Sequence, residues 1–306
     1  MTILSTGAAG AAFTPEEAAA WFLTHLTPQS VGLASGFRQI QTHADTLSIP
    51  RLQTDATANW TAEGAEITPS DPTADTLTAV PRKLAALSYV SNEVLDDSNP
   101  EIGDMIGESL ARSMSLKLDL GFFEGTGTAP EIRGLKNTAS IQTVSMGANG
   151  AALTNLDPIA DALGMLREQD AVGSAIVMHP RTWRALTKLK EQTSGNNKPL
   201  LAEHSMSPAG QVGGGARGDS VGSIYDVPVY ISSQLSVTET QGTSNAASSI
   251  YVYEAQRVIA VMRLDGTVEV DPSPKFSADQ TAVRGKLRAD MVVPYPEAVV
   301  RVLGVL

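Results

Sequence analysis

The chain has 306 residues, with 22 Lys and Arg against 33 Asp and Glu, and no cysteine. A chain this long buries roughly 75% of its unfolded surface, so it needs no staple to fold, and without cysteine it has neither thiolate metal sites nor thiol nucleophiles. The net charge of −11 argues against a general nucleic-acid binder or a polybasic membrane binder, no apolar run approaches the ~18 residues of a membrane span, and no basic residue before Arg38 suggests a secretory signal.

Residues 1–45 read as an arm. Met1 to Ala12 is small and Gly/Ala-rich, while Thr14-Pro15-Glu16-Glu17 opens a predicted helix to about His25. Its Trp21-Phe22-Leu23 cluster is too apolar for water and is expected to bury against another surface. Strands are predicted over 46–52 and 75–80. Between them lie residues rich in Asp, Thr, Ala, Pro and Gly around a single Trp60. A lone hairpin is marginal in water, so this excursion is expected to dock elsewhere.

Residues 84–90 are apolar on both faces and predict an interior strand. Ser98-Asn99-Pro100-Glu101 then opens a long helix, with Ile102, Ile106, Leu110, Met114 and Leu118 every four residues. Against 3.6 residues per turn that stripe winds around the helix, so its two ends can serve different partners. From about 141 to 245 the texture is α/β: a helix from Asp157, a buried strand 174–178, a helix from Pro180 and a strand 227–231. The last stretch reads as strands 249–254, 257–264, 267–270, 281–293 and 297–303, with a hairpin turn at Asp265-Gly266.

Catalytic equipment is sparse. His25, His43, His179 and His204 lack the i,i+4 spacing of a helical metal site, and His179, before Pro180, reads as structural. Gly213, Gly215 and Gly218 spell G-x-G-x-x-G, but Ser207-Pro208-Ala209-Gly210 precedes them and a strand follows, so a flexible loop is expected rather than a dinucleotide site. The Arg217-Gly218-Asp219 tripeptide in that loop is weak evidence for adhesion. Asp96/Asp97 and Glu16/Glu17 sit at helix starts, where the dipole favours negative charge. No catalytic residue, cofactor site or metal site is assigned.

The run from Pro81 to Ser98, followed by the long helix and Gly125-Thr126-Gly127, resembles tailed-phage major capsid proteins of the HK97 fold. Trp60-x-x-Glu63-Gly64 looks like the tip of that family's extended loop, and Phe276-x-x-Asp279-Gln280 leading into Arg284, Arg288 and Ala289-Asp290 looks like its C-terminal strands. The resemblance covers about 45–135 and 175–303, in order. It implies an α+β chain divided into an N-terminal arm (1–45), an extended β-hairpin loop (46–81), a peripheral domain with a spine helix and β-sheet (82–140), an α/β axial domain (141–245) and the peripheral domain's C-terminal strands (246–306).

The function so implied is a structural one: pentamers and hexamers closing an icosahedral shell around double-stranded DNA, held without sequence-specific contacts. The expected setting is the virion, assembled in the host bacterial cytoplasm. Expected partners are other copies of the chain, a separate scaffolding protein, a portal and a decoration protein, with no membrane. A scaffolding segment precedes the arm in some relatives; here Met1 lies almost at the arm, so scaffolding is expected as a separate chain or as a segment already removed. Some relatives weld subunits through a loop lysine, whereas residues 46–80 hold Arg51 and no lysine. The rival readings are an encapsulin-type compartment, less well matched by the extended loop, and a nucleotide-binding enzyme using Gly213–Gly218.

The expected assembly contacts are Trp21 on the arm and Arg51, Trp60, Glu63 and Glu66 on the loop. On the strand 281–293, Val283, Leu287, Ala289, Met291 and Val293 alternate with Arg284, Lys286, Arg288 and Asp290. The basic face of Arg284, Lys286 and Arg288 is expected to meet a neighbouring subunit's acidic loop.

Overall fold

A computed structural model describes residues 30–93, 101–190, 199–201 and 220–306. The predicted helix over 14–25 with Trp21, the Ser98 cap, His204 and Gly213–Gly218 lie outside the described residues. A short helix, α1 (Val31–Ala34), leads to β1 (Arg38–Thr42), the hairpin β2 (Leu47–Thr54) and β3 (Thr73–Ala79), and β4 (Arg82–Ser91). The long helix α2 (Glu101–Glu124) follows, then β5 (Gln142–Ser145), α3 (Asp157–Glu168), β6 (Ala175–Met178) and α4 (Pro180–Thr187). The chain ends in β7 (Gly222–Ile224), β8 (Val227–Ile231), β9 (Glu239–Gln241), β10 (Ser244–Tyr253), β11 (Ile259–Lys275), β12 (Gln280–Val292) and β13 (Val299–Val305).

These strands form three sheets. One has the order β1-β11-β12-β4; a seven-stranded sheet runs β5-β13-β10-β6-β8-β7, with β9 on β10; β2 and β3 pair alone. The sheets cut across the sequence boundary at 245/246. Strands β11 and β12 extend the first sheet, whereas β10 and β13 join β5 and β6 in the second.

The reason lies in side-chain period. Tyr251 and Tyr253 face one core with Ala175 and Val177, while Ile250 and Val252 face another with Ile176 and Met178. Strands buried on both faces read as continuous apolar runs, which is what these segments are. The first core is shared by both large sheets and by α2.

Helix α2 is the beam between them. Leu110, Met114, Leu118 and Phe122 are all buried, continuing the four-residue stripe. Met114 lies against Gly285 of β12, where an added Cβ would meet its sulfur at 3.0 Å. Two and a half turns further on, Phe123 packs on Tyr251 of the other sheet, with ring centroids 5.6 Å apart. The helix therefore meets a different sheet at Met114 and at Phe123.

Two strand expectations change. Strand β4 is an edge strand, not an interior one: among the described residues β12 is its sole partner, Leu87 is 55% exposed and Tyr89 is 43% exposed. Its even-numbered residues are half-buried, with Leu84 and Ala86 against the α2 core, so only one face is covered. At Asp265-Gly266 the chain does not turn back. Pairing shifts from Arg263↔Arg288 to Thr267↔Lys286, so four steps on β11 match two on β12. The dipeptide's irregularity is absorbed as a bulge. The turn comes at residues 276–279, where Asp279 takes the left-handed conformation with φ 49°.

Candidate assembly interface

The β2–β3 hairpin stands apart from the large sheets. Its strands pair from Leu47↔Ala79 to Thr54↔Thr73. Only its root is buried: Ile49 and Ala79 pack with Ile259 and Val261 of β11. Beyond it, residues 55–69 are all exposed, Trp60 completely and Ile67 by 74%. An indole and an isoleucine in open water on a small, polar loop lose all the stabilisation that burial gives such groups, about 1.5–3 kcal/mol for the aliphatic side chain alone. Glu63 and Glu66 lie on the same exposed stretch.

The root is clamped by polar contacts. Arg51 donates to the Pro294 carbonyl at 2.9 Å and to the Asp75 carboxylate at 3.1 Å. The Thr76 N–H, and then Arg51, hold the Asp75 carboxyl below its usual range. On the other strand, the Val80 N–H donates to Asp290 at 2.7 Å. Arg51 is thus placed at the root of its own hairpin rather than near its tip.

The basic strand face forms as the alternation predicts. Leu287, Ala289, Met291 and Val293 are buried, while Arg284, Lys286 and Arg288 point to the open face. Each basic group meets a carboxylate of its own chain: Arg284 and Lys286 both engage Glu269 of β11, and Arg288 lies 3.5 Å from Asp45. Asp45 is also held by Arg263. The sheet thus brings these basic residues together, but it does not bring them to the loop carboxylates Glu63 and Glu66.

Two polar clusters escaped sequence reasoning. The buried Asp119 carboxylate of α2 accepts the Ser30 hydroxyl at 2.7 Å and the N–H groups of Val31 at 3.0 Å and Gly32 at 3.1 Å. It anchors the start of α1 to α2. At the C-terminus of α2, Lys136 bridges Glu124 at 2.6 Å and Glu239 at 2.7 Å, and Arg301 reaches Glu239 at 2.9 Å. The bonded partners are 12 to 103 residues apart in sequence, which is why no local pattern announces them. Among the described residues no group of three or more His, Asp or Glu is placed to hold a metal ion.

A profile of the phage capsid family matches residues 10–303. The chain belongs to that family. The major capsid protein of Enterobacteria phage HK97 is 31% identical over 134 residues, covering 44% of this chain and 34% of that protein's length. That of Klebsiella oxytoca phage phiKO2 is 22% identical over 325 residues, covering all of this chain and 71% of the relative. Among solved structures, the capsid of a native GTA particle matches with a TM-score of 0.66 at 20% identity, covering 90% of each chain. A chain of Mycobacterium phage Bobi matches with a TM-score of 0.65 at 17% identity, again covering 90% of each. The fold is the HK97-like capsid fold.

Proposed function

We propose that this chain is a major head protein whose copies assemble through pentamers and hexamers into a closed icosahedral shell around phage double-stranded DNA. Membership of the phage capsid family supports a structural role, and the observation that carries the assembly reading is the hairpin, which exposes Trp60 and Ile67 with no core of its own. Such rings and shells need heterologous contacts, in which a surface on one copy meets a different surface on the next. A projecting loop and a body that receives it form such a pair.

A net charge of −11 suits a container, because a strongly basic lining would hold DNA phosphates through counterion release. Other copies of the chain, a separate scaffolding protein, a portal and a decoration protein complete the proposed partners, in the virion and, during assembly, in the host cytoplasm. The test is electron microscopy and sedimentation of purified protein. Shells or capsomers are expected; a compact 32.1 kDa species alone across physiological salt overturns the proposal.

A further inference from the structure

The loop carboxylates Asp55, Glu63, Glu66 and Asp71 are exposed, and no described residue bonds to or pairs with their side chains. The body has an unmatched charge of the opposite sign. A cleft of about 430 Å³ between the hairpin root and the end of β12 is lined by Arg51, Arg82, Arg133 and Asp290. Arg51 is already matched by Asp75. That leaves the guanidiniums of Arg82 and Arg133 facing the one carboxylate of Asp290, which also accepts the Val80 and Met291 N–H groups. Neither arginine has a hydrogen bond or ion pair with another described side chain.

Arg82 also lines a second cleft, of about 410 Å³, between β4 and the C-terminal half of α2. Its wall is mainly apolar: Leu84, Leu118, Leu120, Pro130 and Ile132. The charges at its mouth include Lys117 and Glu131, which pair with each other at 3.9 Å. The wall is held by a close backbone approach. Gly134 donates to the Gly125 carbonyl at 2.9 Å, and a Cβ on Gly125 would come within 2.4 Å of the Ile132 carbonyl oxygen. The loop over 125–134 therefore presents a preformed rim.

An apolar hole beside an unmatched basic pair is the complement of a tryptophan followed closely by carboxylates. Trp60 and Glu63 are three residues apart, so they span at most about 10 Å, and Arg82 borders both clefts. Trp60 of the same chain lines neither cleft and stands in solvent. We propose that Trp60 of a second copy of this chain enters the apolar cleft beside Arg82, while Glu63 of that loop takes Arg82 and Arg133 as its counter-charges. The inference rests on the assembly reading above and adds the receiving surface. It places the loop's contact at the β4–α2 cleft, not on the face of Arg284, Lys286 and Arg288.

The chain's lack of cysteine makes the contact directly mappable. Lys117 is exposed on α2 and lines the apolar cleft. Chains carrying Trp60→Cys and chains carrying Lys117→Cys are to be co-assembled and oxidised, so that any disulfide between them joins two copies. A disulfide needs Cβ atoms about 3.5–4.5 Å apart. A linked dimer on a non-reducing gel is expected for this pair and not for Trp60→Cys with Lys286→Cys. In parallel, Arg82→Glu with Arg133→Glu is expected to lower shell yield at least tenfold, and Glu63→Lys is expected to recover part of it. If the double reversal prevents folding, as circular dichroism would show, the disulfide arm decides. Wild-type shells without the Lys117 link, or with the Lys286 link in its place, overturn this inference and leave the assembly reading standing. Absence of any wild-type assembly overturns both.

Discussion

Asp119 is the residue that anchors the start of α1. It is fully buried, and its carboxylate serves two backbone N–H groups and one hydroxyl at the start of α1. Replacing it with Ala leaves those buried donors without an acceptor, at a cost on the order of 3 kcal/mol. Chemical denaturation of Asp119→Ala should show that loss, with Asp119→Asn losing less because it keeps an acceptor oxygen. The cluster around Glu239 sets a pH window. Burial pushes the Glu239 carboxyl up, but hydrogen bonds from Lys136 and Ser249 and the charge of Arg301 outweigh it and hold the group below its ordinary value. Burial likewise pushes Lys136 down, and Glu124 with Glu239 raises it overall. A depressed carboxyl stabilises the fold above its unfolded pKa, and this is lost as pH falls through the folded value; a raised lysine stabilises below its unfolded pKa, and this is lost as pH rises through the folded value. Thermal melts should therefore show the wild type's advantage over Glu239→Gln at neutral pH shrinking both below the carboxylate range and above the lysine range. An advantage that stays constant across both ranges would show that the pairing contributes nothing.

Strand β12 shows how far periodicity alone can be trusted. Its alternation was legible because one face packs on α2 and the other is open, so burial and sequence share a period of two. Leu287→Ala, on the packed face, should cost about 2–5 kcal/mol, whereas Lys286→Ala, on the open face, should change stability by less than about 1 kcal/mol. Equal losses at the two positions would mean that the faces are wrongly assigned. Strand β4 misled for the opposite reason. Leu87 and Tyr89 are apolar but exposed, so composition implied an interior position that the subunit does not give them. Strand β1 left no signal, since Arg38-Gln39-Ile40-Gln41-Thr42 is polar and owes its pairing to β11. Asp265-Gly266 carried true turn chemistry, but whether it becomes a hairpin or a bulge depends on which residues of β12 stand opposite, and that register is non-local. The candidate site divides in the same way. Trp60 stood out as a lone aromatic among small polar residues, whereas Arg82 and Arg133 are brought to one cleft only by the fold.

At the scale of the whole molecule, the subunit has one well-buried centre and one part with almost no burial of its own. Helix α2 ties the two large sheets into a shared core, and the Lys136 cluster adds a polar link where the helix ends. The hairpin gains no comparable burial beyond its root. Such a shell is expected to depend on repeated noncovalent contacts, because the loop has no amine of its own for a covalent weld. An isopeptide bond forms when a neutral lysine amine attacks a side-chain carboxyl or carboxamide, expelling water or ammonia. Residues 46–80 contain no lysine to supply that amine. Lysines on the β11–β12 hairpin are already engaged: Lys275 lies 4.3 Å from the ring centre of Tyr89, and Lys286 pairs with Glu269. Boiled shells should therefore run on a denaturing gel as a single band at the chain's own 32.1 kDa, with no ladder of multiples. A ladder would show that a lysine outside the loop has been recruited, and mass spectrometry of its peptides would identify which one. Without such a weld, shell stability must track the loop contact, so Trp60→Ala should lower shell yield or shell melting temperature while circular dichroism shows an unchanged subunit. Unchanged assembly and melting would return Trp60 to the role of an exposed side chain on its own loop.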